Sequence, residues 1–201
     1  MYKITIRDRL LLLATALLSA YQIIAGIEGL PPLSVWSYTI GFGILLVSCL
    51  LLIILGFEGL ESQVVVIIST AIPLSISLGL VSYHLPRMTL PYLVFCALGF
   101  AAIGITRFML SGKAATLVLA LVHGAAGTLI TILPLSEVIK SANPPGFLLV
   151  SLGGALIGLG GLLLAFLKAG KPILDRDTIY QLLPAILFLM SFCFIGGFSF
   201  M

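Results

Sequence analysis

Residues 34–56 read SVWSYTIGFGILLVSCLLLIILG, and none of them carries a charge. An α-helix rises about 1.5 Å per residue, so a stretch of this length reaches across the roughly 30 Å hydrocarbon core of a bilayer. Its apolar residues fall on every face of such a helix, whereas a membrane β-strand alternates apolar and polar positions over about ten residues. Backbone polar groups inside lipid must be satisfied within the segment, which leaves the helix as the reading.

Outward from this stretch, further apolar runs closed by charges or by proline, glycine and asparagine place spans near 10–27, 34–56, 64–82, 89–108, 114–135, 146–167 and 178–200. The predicted fold class is an all-α integral membrane protein, a bundle of about seven transmembrane helices with short loops, residues 1–201 forming a single polytopic domain. Composition agrees, with 61% hydrophobic and 8% charged residues, against roughly a quarter charged in a soluble domain. The net charge of +3 is scattered over segment ends and forms no basic patch, so no nucleic-acid partner is expected. The partner that composition demands is the lipid bilayer.

Lys3, Arg7 and Arg9 ahead of the first run resemble the charged start of a secretory signal. The run from Leu10 to Ile27 is long enough to span, and Leu18 is too large for the −3 position of a cut after Ala20, so a retained first helix is expected. Lys3, Arg7, Arg9, Arg107, Lys113, Lys168, Lys171 and Arg176 fall on one side of the predicted topology, Arg87 and Lys140 on the other. The positive-inside rule then puts the N-terminus in the cytoplasm, in a plasma (inner) membrane or an internal bacterial-type membrane. Glycine is expected to cap the first two spans, which end in the matching pentapeptides 26–30, GIEGL, and 56–60, GFEGL. Cys49, Cys96 and Cys193 lie inside apolar runs and behave as small hydrophobes.

Span six carries Ser151, Gly154, Gly158, Gly161 and Ala165 at spacings of three and four, a stripe of small side chains on one face. Close backbone approach across such a stripe is how helices associate in lipid. The face predicts either a docking surface for a membrane-protein partner or a homodimer, or packing within the chain against span five, whose own stripe is Thr116, Ala120, Gly124, Gly127 and Thr131.

His123 stands in the middle of span five, where an ionisable side chain marks a functional site by default. Its bland alternative is a neutral imidazole bonded to a neighbouring hydroxyl or carbonyl. A haem held by two histidines needs a second one at similar depth, and His84 lies near the end of span three. The residues single out no cofactor and no metal site. Pro73 breaks one backbone hydrogen bond in span three beside Ser69, Thr70 and Ser77, and Pro184 does the same in span seven beside Gln181. If these two spans face one another, His123, Ser69, Thr70, Pro73, Ser77, Gln181 and Pro184 mark a ligand site or a polar path. Arg107, at the end of span four, is expected to snorkel to the headgroups.

No nucleophile with a base, no paired carboxylates and no phosphate loop stand out, so catalysis is not expected. Thin loops, low polarity and the glycine-lined sixth span predict an accessory or scaffold subunit of a larger membrane complex. The alternative is a small permease or carrier for a lipophilic or weakly polar solute.

Overall fold

The computed structural model describes residues 2–109, 113–168, 170 and 172–201. Among the described residues seven α-helices follow one another: α1 (Ile6–Ala25), α2 (Pro32–Leu55), α3 (Gln63–His84), α4 (Thr89–Met109), α5 (Lys113–Ile139), α6 (Leu148–Lys168) and α7 (Arg176–Phe198). All seven are long and apolar enough to cross a membrane, and no strand occurs among the described residues. The chain is a multi-pass helical membrane bundle.

Helix ends depart from the apolar runs where polar chemistry extends them. α1 begins at Ile6, not near residue 10, because Thr5 and Asp8 form a capping box. The Thr5 hydroxyl accepts from the Asp8 N–H at 3.2 Å, and Asp8 Oδ2 accepts from the Thr5 N–H at 2.8 Å. The same carboxylate oxygen accepts from Tyr2 Oη at 2.8 Å, so Asp8 is buried with its partners supplied. α5 continues to Ile139, past the end expected near 135. Pro134 removes only its own N–H, and the helix persists around it. Glu137 is thereby inside the helix and buried, accepting from Lys140 Nζ at 2.9 Å and lying 3.9 Å from His84 Nδ1 of α3. α7 is capped by Asp175, which accepts from the Thr178 N–H at 2.9 Å and from the Thr178 hydroxyl. These donors hold the Asp175 carboxyl below the usual carboxylate range. Gly26 and Gly56 stand at the C-caps of α1 and α2 with φ of 63° and 70°, the left-handed region that glycine enters without strain.

Packing runs from α1 to α2 to α3, on to α5, α6 and α7, and back to α1, closing a ring of six helices. α4 lies outside it, against α3 and α5. The middle of the ring is filled: Phe42 of α2 meets Phe194 and Phe198 of α7 edge-on, with centroids 6.4 and 6.2 Å apart. Tyr38 of α2 lies 4.8 Å from Phe198 and rests on Gly79 of α3, where an added Cβ would fall 2.6 Å from its ring. α2 therefore stands between α3 and α7. α3 and α7 do not share a packing face, which separates the halves of the site expected from Pro73 and Pro184. On the face that carries the N-terminus, Tyr2 N–H donates to Asp177 Oδ1 at 3.0 Å and Phe57 stacks on Tyr180 at 5.1 Å.

Removing either partner of the capping box should cost about 1 kcal/mol. Thr5→Ala and Asp8→Ala disrupt the same unit, so the double variant should lose clearly less than the sum in thermal unfolding in detergent. Additive losses would show that the two side chains act independently.

A candidate lipophile site along the α5–α6 seam

The most extensive helix pairing in the bundle joins α5 to α6. It depends on glycine. A Cβ on Gly154 would stand 2.8 Å from the carbonyl carbon of Ile130, and one on Gly127 would stand 3.6 Å from Gly158 Cα. A Cβ on Gly161 would collide with the His123 ring. The small-residue face of span six is thus taken up in large part by a helix of the same chain. Van der Waals contact across missing side chains replaces the hydrophobic drive that lipid cannot supply.

His123 reaches over Gly161 so that its Nε2–H donates to the carbonyl oxygen of Ile157, 3.3 Å away. That carbonyl already accepts from the helical N–H four residues on, and a carbonyl oxygen has a second lone pair to offer. Glycine at 161 exposes it. The histidine is therefore a hydrogen-bonded strut between two helices, and Nδ1 is the acceptor left over, since no other bond to the ring occurs among the described residues.

The seam does not close along its whole length. A Cβ on Gly124 or Gly158 would meet nothing within 4 Å, and beside them lies a cavity of about 500 Å³ lined by α3, α5, α6 and Leu60. Its lining includes buried Val66, Thr70 and Leu119 as well as exposed Ile132, Leu159 and Leu162, so it runs from the interior of the bundle out to its apolar surface. The polar groups on its walls are few: Ser69, Thr70, His123, Thr128, Thr131 and, at the N-terminal face, Lys168.

Of the residues expected to form a ligand site, His123, Ser69 and Thr70 line this cavity, together with Gly154, Gly158, Gly161 and Ala165 from the expected docking face. Pro73, Ser77, Gln181, Pro184 and Ser151 do not. Ser77 turns its hydroxyl onto the Pro73 carbonyl at 2.7 Å and accepts from Tyr92 Oη of α4 at 2.9 Å, a link between α3 and α4. Ser69 and Thr70 likewise donate to the Val66 carbonyl, at 3.0 and 2.8 Å. Gln181 is exposed on α7, Pro184 is buried there, and Ser151 Oγ is buried without a partner.

Three features escaped the sequence. Lys168 lines the cavity and donates from Nζ to the Leu60 carbonyl at 2.7 Å. Arg107 does not simply snorkel outward, because its Nε and Nη2 are buried and without a hydrogen-bond partner. The pair of His84 and Glu137 lies toward the opposite face and is not part of the cavity lining. Among the described residues no group of three His, Cys, Asp or Glu side chains could hold a metal ion. Compared with family models, curated proteins and solved structures, the chain finds no match.

Gly161→Ala should push the His123 ring off Ile157 and destabilise the bundle by about 1–3 kcal/mol, the usual cost of overpacking. His123→Ala alone should cost about 0.6 kcal/mol, typical of one interhelical hydrogen bond in lipid. Combined, the two should lose less than Gly161→Ala by itself, read as unfolding midpoints in detergent. Strict additivity would mean that the ring and residue 161 do not compete for one space.

Proposed function

We propose that this chain is a non-catalytic membrane protein that holds a lipophilic or weakly polar solute in the α5–α6 groove, acting as a small carrier or binding protein. The single observation that carries the proposal is the cavity of about 500 Å³, open at Gly124 and Gly158, at membrane depth. Small-molecule sites typically measure about 300–1,000 Å³, with apolar walls and a handful of placed polar groups. Here the walls are leucine, valine, isoleucine and glycine, and the placed groups are the His123 ring and the threonine and serine hydroxyls. Because exposed Leu159 and Leu162 line the opening, a solute would enter sideways from lipid without crossing water.

Two further expectations belong to the same proposal. The topology gathers Lys3, Arg7, Arg9, Arg107, Lys168 and Arg176 on the face of the N-terminus and leaves Arg87 and Lys140 opposite, while Lys171 and the side chain of Lys113 lie outside what the structure describes. The positive-inside rule makes the first face cytoplasmic, in a plasma (inner) or internal bacterial-type membrane. A second functional reading, an accessory or scaffold subunit of a larger membrane complex, draws on α4. That helix lies outside the ring and turns Leu90, Val94, Leu98 and Ile105 outward.

Native mass spectrometry of the protein, extracted from its own membrane in mild detergent, separates the two. The proposal expects one retained small molecule per chain, lost when Gly124→Leu and Gly158→Leu together fill the open stretch. Co-purifying polypeptides in fixed ratio, with no small molecule and no response to the leucine changes, would instead establish the scaffold reading.

A further inference from the structure

In a bilayer the apolar walls of a groove cannot by themselves select a ligand, because the surrounding acyl chains are as apolar as leucine. Selection must come from the polar groups at the groove, and the strongest of these stand at one end. Lys168, in the last turn of α6, lines the cavity. Its Nζ spends one donor on the Leu60 carbonyl at 2.7 Å, and an ammonium has three. Arg107 of α4 is close enough for its charge to act on Lys168. It continues the face of Ile103, one turn earlier, which packs with Val66 and Leu119 of the cavity wall. Two of its guanidinium nitrogens, Nε and Nη2, are buried and unpartnered. Neither cation is paired with a carboxylate among the described residues. Two mutually repelling cations, one with buried unsatisfied donors, form an arrangement that an anion would relieve.

We propose that the groove takes a long-chain amphiphile whose anionic headgroup lies between Lys168 and Arg107 and whose chain runs along the glycine seam of α5 and α6. The inference rests on the groove being a lipophile site and specifies its ligand. Geometry sets the proportions. Gly161, under the His123 ring, lies seven residues before Lys168 on α6, or about 10 Å along the axis. Gly154 lies a further seven residues away, bringing the seam to about 20 Å. That exceeds one leaflet of a roughly 30 Å hydrocarbon core, so the chain passes the bilayer midplane. A linear tail fits such a path.

The test uses the full chain in an uncharged detergent, with native mass spectrometry reading the occupancy of four probes: hexadecyl phosphate, hexadecanoate, hexadecanol and inorganic phosphate. The expected result is one hexadecyl phosphate or hexadecanoate per chain, hexadecanol at least about tenfold weaker, and no inorganic phosphate retained. A preference for either anionic probe identifies the headgroup chemistry as phosphate or carboxylate, and both uphold the proposal. Lys168→Gln and Arg107→Gln should each bring hexadecyl phosphate about tenfold closer to hexadecanol without changing hexadecanol itself, while Lys168→Arg should retain the discrimination. Equal affinity for hexadecanol and hexadecyl phosphate would overturn the anionic headgroup yet leave the groove a lipophile site. Inorganic phosphate binding as tightly as hexadecyl phosphate would overturn the placement of the chain. Probe binding that survives Gly124→Leu with Gly158→Leu would overturn the groove itself, and with it the proposed function.

Discussion

Lipid tails surround this bundle with a solvent as apolar as its own leucines, so burying a leucine against a neighbouring helix gains little over leaving it in lipid. What holds α5 to α6 is therefore the close approach of two backbones where side chains are missing, at Gly127 and Gly154, with the His123 ring seated over Gly161. The rest of the molecule depends on that contact. It closes the ring by linking α3 and α5 on one side to α6 and α7 on the other. It also places His123 over Gly161, within reach of the Ile157 carbonyl, and leaves the stretch at Gly124 and Gly158 open.

The same stripe of small residues thus does two different things along its length. Where glycine meets backbone or an imidazole it is consumed as packing, and where it meets nothing it becomes the floor of a cavity. His123 belongs to both: its Nε2–H is spent on holding the helices, and the residue also lines the cavity. The aromatic plug of Phe42, Phe194 and Phe198 fills the centre of the ring, so the space accessible to a ligand lies at its edge, reached from lipid. Lys168 puts a positive charge at one end of this otherwise largely apolar groove.

Span number and helical character were legible in the sequence because uncharged runs such as 34–56 leave lipid-compatible backbone only one conformation. Helix ends were less so. Thr5 and Asp8 sit in a charged segment that looks like a loop, and Pro134 with Glu137 looks like a terminus, yet a reciprocal cap and the partners of buried Glu137, Lys140 and His84, accompany helices that run further. Of the residues expected to form a ligand site, His123, Ser69 and Thr70 line one cavity, whereas Pro73, Ser77, Gln181 and Pro184 lie outside it. Pro73 and Pro184 were expected on facing helices, which α2 keeps apart, because helix order in the ring is a tertiary fact that no local pattern encodes. The register of α5 on α6 decides which glycine is covered and which is open. Periodicity alone marked Gly154 and Gly158 as equivalent. For the same reason the placement of Arg107 within electrostatic reach of Lys168, from helices far apart in the chain, left no local signal.

The measurement that tests the account most directly is photo-crosslinking of the protein in a bilayer with a trace of diazirine-bearing hexadecyl phosphate, followed by peptide mapping. The account predicts labelling concentrated on the α5–α6 seam around Gly124, Thr128, Gly158 and Leu162, and suppressed by excess unlabelled hexadecyl phosphate. Diffuse labelling of every outward face, α4 as strongly as the seam and unaffected by competitor, would show that the seam is ordinary lipid-facing surface.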